Sequence, residues 1–183
     1  FGHVHDQDSM HVIHAALERG VRVVDTAPSY GWGRAEKVLG QAIQKCRDQL
    51  IIIDKCGLEQ TGRKVKHNLR PERIRDELDQ SLKRLKTDYL DVYLLHWPDT
   101  DTPVERSVEV LQKFKDEGRI KYIGISNHPL ELIKRADVVA AIDVLQYRYS
   151  LIDRDIEKEI LPWAMENSVP LMAYGSLSGG LLT

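Results

Sequence analysis

VRVVDTAPSYGWGRAEKVLG, residues 21–40, is the stretch whose reading decides the fold. A β-branched apolar run, Val21 to Val24, stops at Asp25; Tyr30 follows in a loop punctuated by Pro28, Gly31 and Gly33, and a helical pattern (Ala35, Val38, Leu39, Ala42, Ile43) begins after it. The spacing predicts a strand that delivers two ionisable side chains to its C-terminal end and then passes into an amphipathic helix. The arrangement recurs. Leu50 to Ile53 runs into Lys55, Val92 to Leu95 into His96, and Ile123 to Ile125 into Ser126 and Asn127. Val144 and Leu145 lead to Gln146, and Leu171 to Ala173 leads to Tyr174.

Helical spacing fills the intervals. Met10, Ile13 and Leu17 predict a helix over Ser9 to Arg19, with Ser9 as N-cap and Gly20 as its stop. Pro71 opens a helix carrying Ile74, Leu78, Leu82 and Leu85; Pro103 opens another with Val104, Val108, Leu111 and Phe114, closed by Gly118. A shorter one follows Pro129, and Ile156 to Asn167 reads as a further helix. The polar segment Glu59 to Leu69, with Gly62, reads as a long loop.

Six strands alternating with helices predict βαβ units, hence a parallel sheet with the crossover helices on its outside. Polar residues just past parallel strand ends share one face, which in a barrel is the mouth where active sites lie. Closure takes eight strands and about 250 residues. The expectation is therefore an α/β fold, a (β/α)8 TIM barrel of about six βα units with its first and last strands missing. Residues 1–183 would form one domain, truncated at both ends, since the sequence opens on Phe1 and stops at Thr183 after a loop.

Composition narrows the function. With 42% hydrophobic and 30% charged residues the chain can bury a core, and a net charge of −2 is unlike that of a nucleic-acid binder. The basic run Arg63, Lys64, Lys66, Arg70, Arg73, Arg75 reads as a solvated loop and helix start. No apolar run approaches the ~20 residues of a membrane span. Cys46 and Cys56 offer no disulfide framework, which sets a cytoplasmic expectation, and Cys56 reads as a small buried hydrophobe.

Asp25, Tyr30, Lys55 and His96 together suit one task. A phenol, ordinarily of pKa near 10, exchanges a proton at neutral pH only beside a cation that stabilises phenolate, and Lys55 can be that cation. A carboxylate such as Asp25 keeps a buried ammonium charged. His96 can hydrogen-bond and polarise a carbonyl oxygen. The set holds neither nucleophile nor metal, so it moves one proton while a bound hydride donor supplies the electrons.

Here the sequence resembles the aldo-keto reductases. The matching motifs are Asp25-Thr26-Ala27 with Tyr30-Gly31 and Glu36, then Lys55, DYLDVYLLHWPD (residues 88–99) and GISN (residues 124–127). Gln146 and AYGSLSGGLLT (residues 173–183) complete them, so the resemblance extends over essentially the whole chain. It implies a catalytic tetrad of Asp25, Tyr30, Lys55 and His96 with Tyr30 as general acid. It implies that Ser126, Asn127 and Gln146, with Asp25, hold the nicotinamide end, that Tyr174 stacks on the ring, and that Gly175, Ser176, Leu177 and Ser178 follow the pyrophosphate. The implied cofactor is NADP(H), with NAD(H) also open, because the segment that grips the adenosine ribose phosphate has no counterpart here. The implied substrates are aldehydes or ketones; oligomeric state is unspecified. Asp54 departs from the family, which more often places a small hydroxyl residue there, and strand alternation points it toward the helix layer.

Three other readings compete. Some relatives of this family are regulatory subunits of ion channels with the same four residues, so a cofactor-binding, non-enzymatic role stands beside the enzyme. His3-Val4-His5, with His11 and His14, is how some metal-dependent barrel hydrolases begin, but no ligand set continues at the later strand ends. Ser126 in Gly124-Ile125-Ser126-Asn127-His128 misses the last glycine of a nucleophile elbow. Without Gly-x-Gly-x-x-Gly, a cofactor would not be held in Rossmann fashion. Trp32 and Trp97 are candidates to line a substrate pocket.

Overall fold

The computed structural model describes residues 4–183. Among them, six strands form one parallel sheet: β1 (Val23–Asp25), β2 (Ile51–Cys56), β5 (Leu90–Leu95), β6 (Ile120–Ser126), β7 (Val144–Arg148) and β8 (Leu171–Tyr174), hydrogen-bonded in that order. Every neighbouring pair is parallel, with Asp25 opposite Ile53, Lys55 opposite Leu94, Leu95 opposite Ile125 and Ser126 opposite Gln146. Each crossover therefore has to travel back outside the sheet, which is the work of α2 (Arg34–Ala42), α3 (Pro71–Leu85), α4 (Val104–Asp116), α5 (Leu130–Val139) and α6 (Ile160–Glu166). α1 (Asp6–Glu18) precedes β1 and lies against α2. The result is a curled partial (β/α)8 barrel, as the strand and helix periods require.

Alternation along the strands creates two cores. Outward-facing Ile52, Tyr93, Leu95, Ile123, Ile125 and Leu145 join Leu39, Ile74, Leu78, Val108, Leu111 and Ile133 in a large layer between sheet and helices. Inward-facing Ile53, Val92, Leu94 and Val144 form a small second cluster, with Met172 against it. Gly124 sits in this inner row because a Cβ there would meet Leu94 and Val144 side chains at 2.1 and 2.8 Å. The same parity that sends Ile53, Leu94, Gly124 and Val144 inward carries Lys55, His96, Ser126 and Gln146 inward two residues later, at the mouth.

Three local expectations are corrected. Glu59 to Leu69 is no plain loop: β3 (Leu58–Thr61) and β4 (Lys64–His67) pair antiparallel across Gly62, whose φ of +63° suits a two-residue hairpin turn. Ser9 is not the N-cap of α1; that position is His5, and the Ser9 hydroxyl donates back to the His5 carbonyl inside the first turn. Ile156 to Asn167 is not one helix but a 3-10 turn, Asp155–Glu157, followed by α6, whose first turn accommodates Pro162 because amide hydrogens there need no partner.

α2 and α3 approach each other closely at Gly40. A Cβ there would meet the Arg84 carbonyl oxygen at 2.5 Å and the Leu85 backbone at 2.7 Å, and backbone has little room to give. Gly40→Ala is expected to separate α2 from α3 and to destabilise the fold by about 1–3 kcal/mol, the usual cost of overpacking. Urea unfolding with an unchanged midpoint would contradict this contact.

Candidate active site

The structure brings the four predicted tetrad residues to one mouth. β1 ends at Asp25, the loop after it supplies Tyr30, β2 supplies Lys55 and the residue after β5 supplies His96. Lys55 is 1% exposed, so its ammonium must find partners inside the protein. It finds three kinds: both Asp25 oxygens at 2.8 and 2.7 Å, the Thr26 carbonyl at 2.9 Å and the Tyr30 hydroxyl at 3.2 Å. The ammonium also lies 4.9 Å from the Tyr30 ring centroid. Thr26 enters the sequence reading only as part of the Asp25-Thr26-Ala27 motif, with no role of its own. Its contribution is a backbone carbonyl, for which no side-chain pattern gives a signal.

Tyr30 keeps one side in solvent, 42% exposed, and its ring meets His96 edge-on at 6.2 Å between centroids. His96 is buried, and burial, reinforced by the Lys55 charge and by His67, pulls its pKa down to about 3. It is therefore a neutral imidazole at physiological pH, fit to donate or accept one hydrogen bond. Next to it Trp97 stacks on His67 at 6.0 Å, and the His67 Nδ1 engages the Pro98 carbonyl, so the β3–β4 hairpin is docked on the mouth. Trp97 and Trp32 both remain partly exposed, at 38% and 44%.

The expected cofactor-facing set lies on the adjoining strand ends. The Ser126 hydroxyl donates to the Gln146 carbonyl, and Asn127 Nδ2 donates to the Ser126 hydroxyl and to the His96 carbonyl. Asn127 adopts φ +61°, a left-handed conformation that Asn tolerates, and its Oδ1 accepts from the Tyr174 hydroxyl at 2.8 Å. Gln146 Nε2 donates to Asp25 Oδ1 at 3.1 Å, which links this set to the tetrad. A primary carboxamide needs donors and an acceptor in one plane, and Ser126, Asn127 and Gln146 offer both kinds beside a tethered aromatic ring. Beyond Tyr174, Gly175 turns at φ +66°, Ser176 and Leu177 are exposed, and the Ser178 hydroxyl bonds Ser150 at 2.8 Å. Ser126 has no imidazole on its hydroxyl: the neighbouring His128 Nδ1 meets the Ser126 carbonyl instead.

His128 supplies a pH signature. Its burial draws the pKa down to about 4, as His96 is drawn to about 3. Unfolding returns both imidazoles toward 6.5, where they bind more protons than in the fold. Their stabilising share is thus complete above about pH 6.5 and is lost as pH falls through about 4 for His128, about 3 kcal/mol, and through about 3 for His96. In His128→Asn, whose amide can still donate to the Ser126 carbonyl, the unfolding free energy should fall less steeply between pH 6.5 and 4. An unchanged slope would show that His128 is not the group that titrates.

The metal reading does not gather here. Among the described residues no cluster of three His, Cys, Asp or Glu could hold a metal ion; His3 of the His-x-His pair lies outside the described residues. No helix among them is long and apolar enough to cross a membrane.

The family model for the aldo/keto reductase family matches residues 1–183. The chain belongs to the aldo/keto reductase family. Aldo-keto reductase YhdN of Bacillus subtilis (strain 168) is 39% identical over 185 residues, covering 100% of this chain and 56% of that protein. An NADH-specific methylglyoxal reductase of Escherichia coli (strain K12) is 38% identical over 178 residues, covering 90% of this chain and 55% of that protein. Among solved structures, a glycerol dehydrogenase from Gluconobacter oxydans superimposes with a TM-score of 0.94 at 38% identity, over 100% of this chain and 57% of that one. An aldo/keto reductase from Klebsiella pneumoniae in complex with NADP and acetate gives 0.82 at 34% identity, over 97% and 61%. The chain thus spans somewhat more than half the length of these relatives.

Proposed function

We propose that the protein reduces aldehydes or ketones with a reduced nicotinamide dinucleotide, and that Tyr30 donates the proton. The observation that carries the reading is the Lys55 ammonium held between the Asp25 carboxylate and the Tyr30 hydroxyl, 3.2 Å from the latter, at the mouth of the sheet. When bound, the dinucleotide would supply the hydride. The residues do the rest. Ser126, Asn127 and Gln146 would hold the carboxamide, with Tyr174 against the ring and Gly175 to Ser178 along the pyrophosphate. Neutral His96 would orient the carbonyl oxygen, and Tyr30 would give that oxygen its proton as negative charge develops. Family relatives bind NADP in one solved case and are named NADH-specific in another, so NADP(H) is the first probe and NAD(H) the second.

Titration with NADPH should quench Trp fluorescence saturably, since Trp32 and Trp97 flank the mouth. Steady-state assays with methylglyoxal and small aromatic aldehydes should consume the cofactor. Absence of binding by either NADPH or NADH would overturn the proposal. Binding without turnover of any carbonyl would instead favour the regulatory, non-enzymatic reading.

A further inference from the structure

Behind the ammonium, β2 loses its neighbour at the point where Lys55 stands. β1 ends at Asp25; the Thr26 amide still donates to the Ile53 carbonyl at 2.9 Å. The amides of β2 that face β1 are those of alternate residues, beginning with Ile51, whose amide donates to the Arg22 carbonyl at 2.8 Å. The next acceptor in that ladder after Asp25 is the Thr26 carbonyl, and the Lys55 side chain takes it at 2.9 Å. The Lys55 and Gly57 amides are left to find other partners in a dry interior, where an unpaired amide is costly. Two carboxyls serve: Asp54 Oδ1 accepts from the Lys55 amide at 2.9 Å, and Glu77 Oε2, from α3, accepts from the Gly57 amide at 2.9 Å. Asp54 is 0% exposed and Glu77 3%.

We propose that Asp54 and Glu77 are positioning residues for Lys55, two buried carboxyls that replace the strand neighbour β2 lacks there and so fix the backbone from which the ammonium reaches Asp25 and Tyr30. The inference rests on the reading of Lys55 as the cation of the tetrad. Its chemistry follows from the charges around it. Glu36 from α2 lies near enough behind the sheet for its charge to act on both Asp54 of β2 and Glu77 of α3. Two guanidiniums of α3 answer them. Arg84 is committed to Glu36 through bonds of 2.7 and 3.0 Å, and Arg73 lies 3.6 Å from Glu77. The other facing groups are Ser81, Cys56 and Tyr93, the last directly across the ladder from Asp54. Asp54 has no guanidinium left to it, and its Oδ2 has no hydrogen-bond partner among the described residues. Burial, then the Glu36 charge, holds its carboxyl well above the usual carboxylate range. What the Lys55 amide takes from Asp54 is the acceptor lone pair of Oδ1, and the carbonyl oxygen of an amide in its place can supply the same.

Asp54→Asn should keep kcat within about twofold of wild type, whereas Asp54→Leu, which removes the acceptor, should lower kcat about tenfold or more while the NADPH dissociation constant changes little; a 1 Å misplacement of a catalytic group can cost ~10²-fold. A folded Asp54→Leu protein with near-normal kcat would overturn the proposal, and so would an Asp54→Asn protein as impaired as Asp54→Leu. Amide hydrogen exchange supplies a readout that needs no activity: in Asp54→Leu the Lys55 amide should exchange at least about tenfold faster relative to that of Ile53, with unchanged protection overturning the inference. If wild type reduces no carbonyl compound, the proposed function falls while the exchange result still decides this one. Should Asp54→Leu fail to fold, Glu77→Met against Glu77→Gln makes the same comparison at the Gly57 amide.

Discussion

Tyr30→Phe is expected to lower kcat by about 10²–10⁴-fold, the range for losing a general acid, with NADPH affinity nearly intact. Hydride reaching a carbonyl carbon leaves negative charge on oxygen, and the phenol is the hydroxyl that the ammonium touches at 3.2 Å. Phenylalanine preserves the ring that meets His96 edge-on and removes only the hydroxyl. The fold should scarcely notice, because Tyr30 is 42% exposed and gives up a single hydrogen bond of about 1 kcal/mol or less. A variant that keeps near-normal kcat would place the proton source elsewhere, and the tetrad assignment would fall with it.

Lys55→Met should be comparably damaging, and Lys55→Met combined with Tyr30→Phe should be little worse than either alone, because the two side chains perform one function. The structural reason is direct. The ammonium joins Asp25 to Tyr30, and methionine of similar length fills its space without a charge. The effect on folding should be small for a buried ion pair. Removing one partner is severe when the other is left dry, but the Asp25 side chain is 34% exposed and water can take over part of its solvation. Losses that multiply in the double variant, each in kcat, would show that Lys55 acts on something other than Tyr30.

How far the sequence could be read follows from which atoms carry each feature. The six strand ends were legible because a side chain's side of the sheet alternates strictly, so Ile53 inward fixes Lys55 inward and Leu94 fixes His96. Ser126, Asn127, Gln146 and Tyr174 were placed by resemblance, and they do stand on neighbouring strand ends in one hydrogen-bonded set. The β3–β4 hairpin is not legible because Leu58–Thr61 and Lys64–His67 carry almost no apolar alternation, and Gly62, the one cue, fits a loop as well as a hairpin turn. Backbone groups were invisible altogether. Neither the Thr26 carbonyl on Lys55 nor the amides that Asp54 and Glu77 receive have a residue pattern, although strand alternation does point Asp54 toward the helix layer, where the structure has it. The start of α6 at Ile160 is legible in Pro162, which suits a first helical turn and not the interior of a helix running from Ile156.

The hydrogen bond from Gln146 to Asp25 has a consequence for the order in which the protein comes together. It joins residues 121 positions apart, so it cannot form until every strand between them has taken its place in the sheet. The local units, such as α3 with β2 or α4 with β6, close short loops and can assemble early; this bond closes one of the longest and gains nothing until the others exist. A folding experiment should therefore see the helices and inner strands protected before the Gln146 side chain finds its carboxylate. The candidate site would be among the last features to mature, and among the first to report partial unfolding.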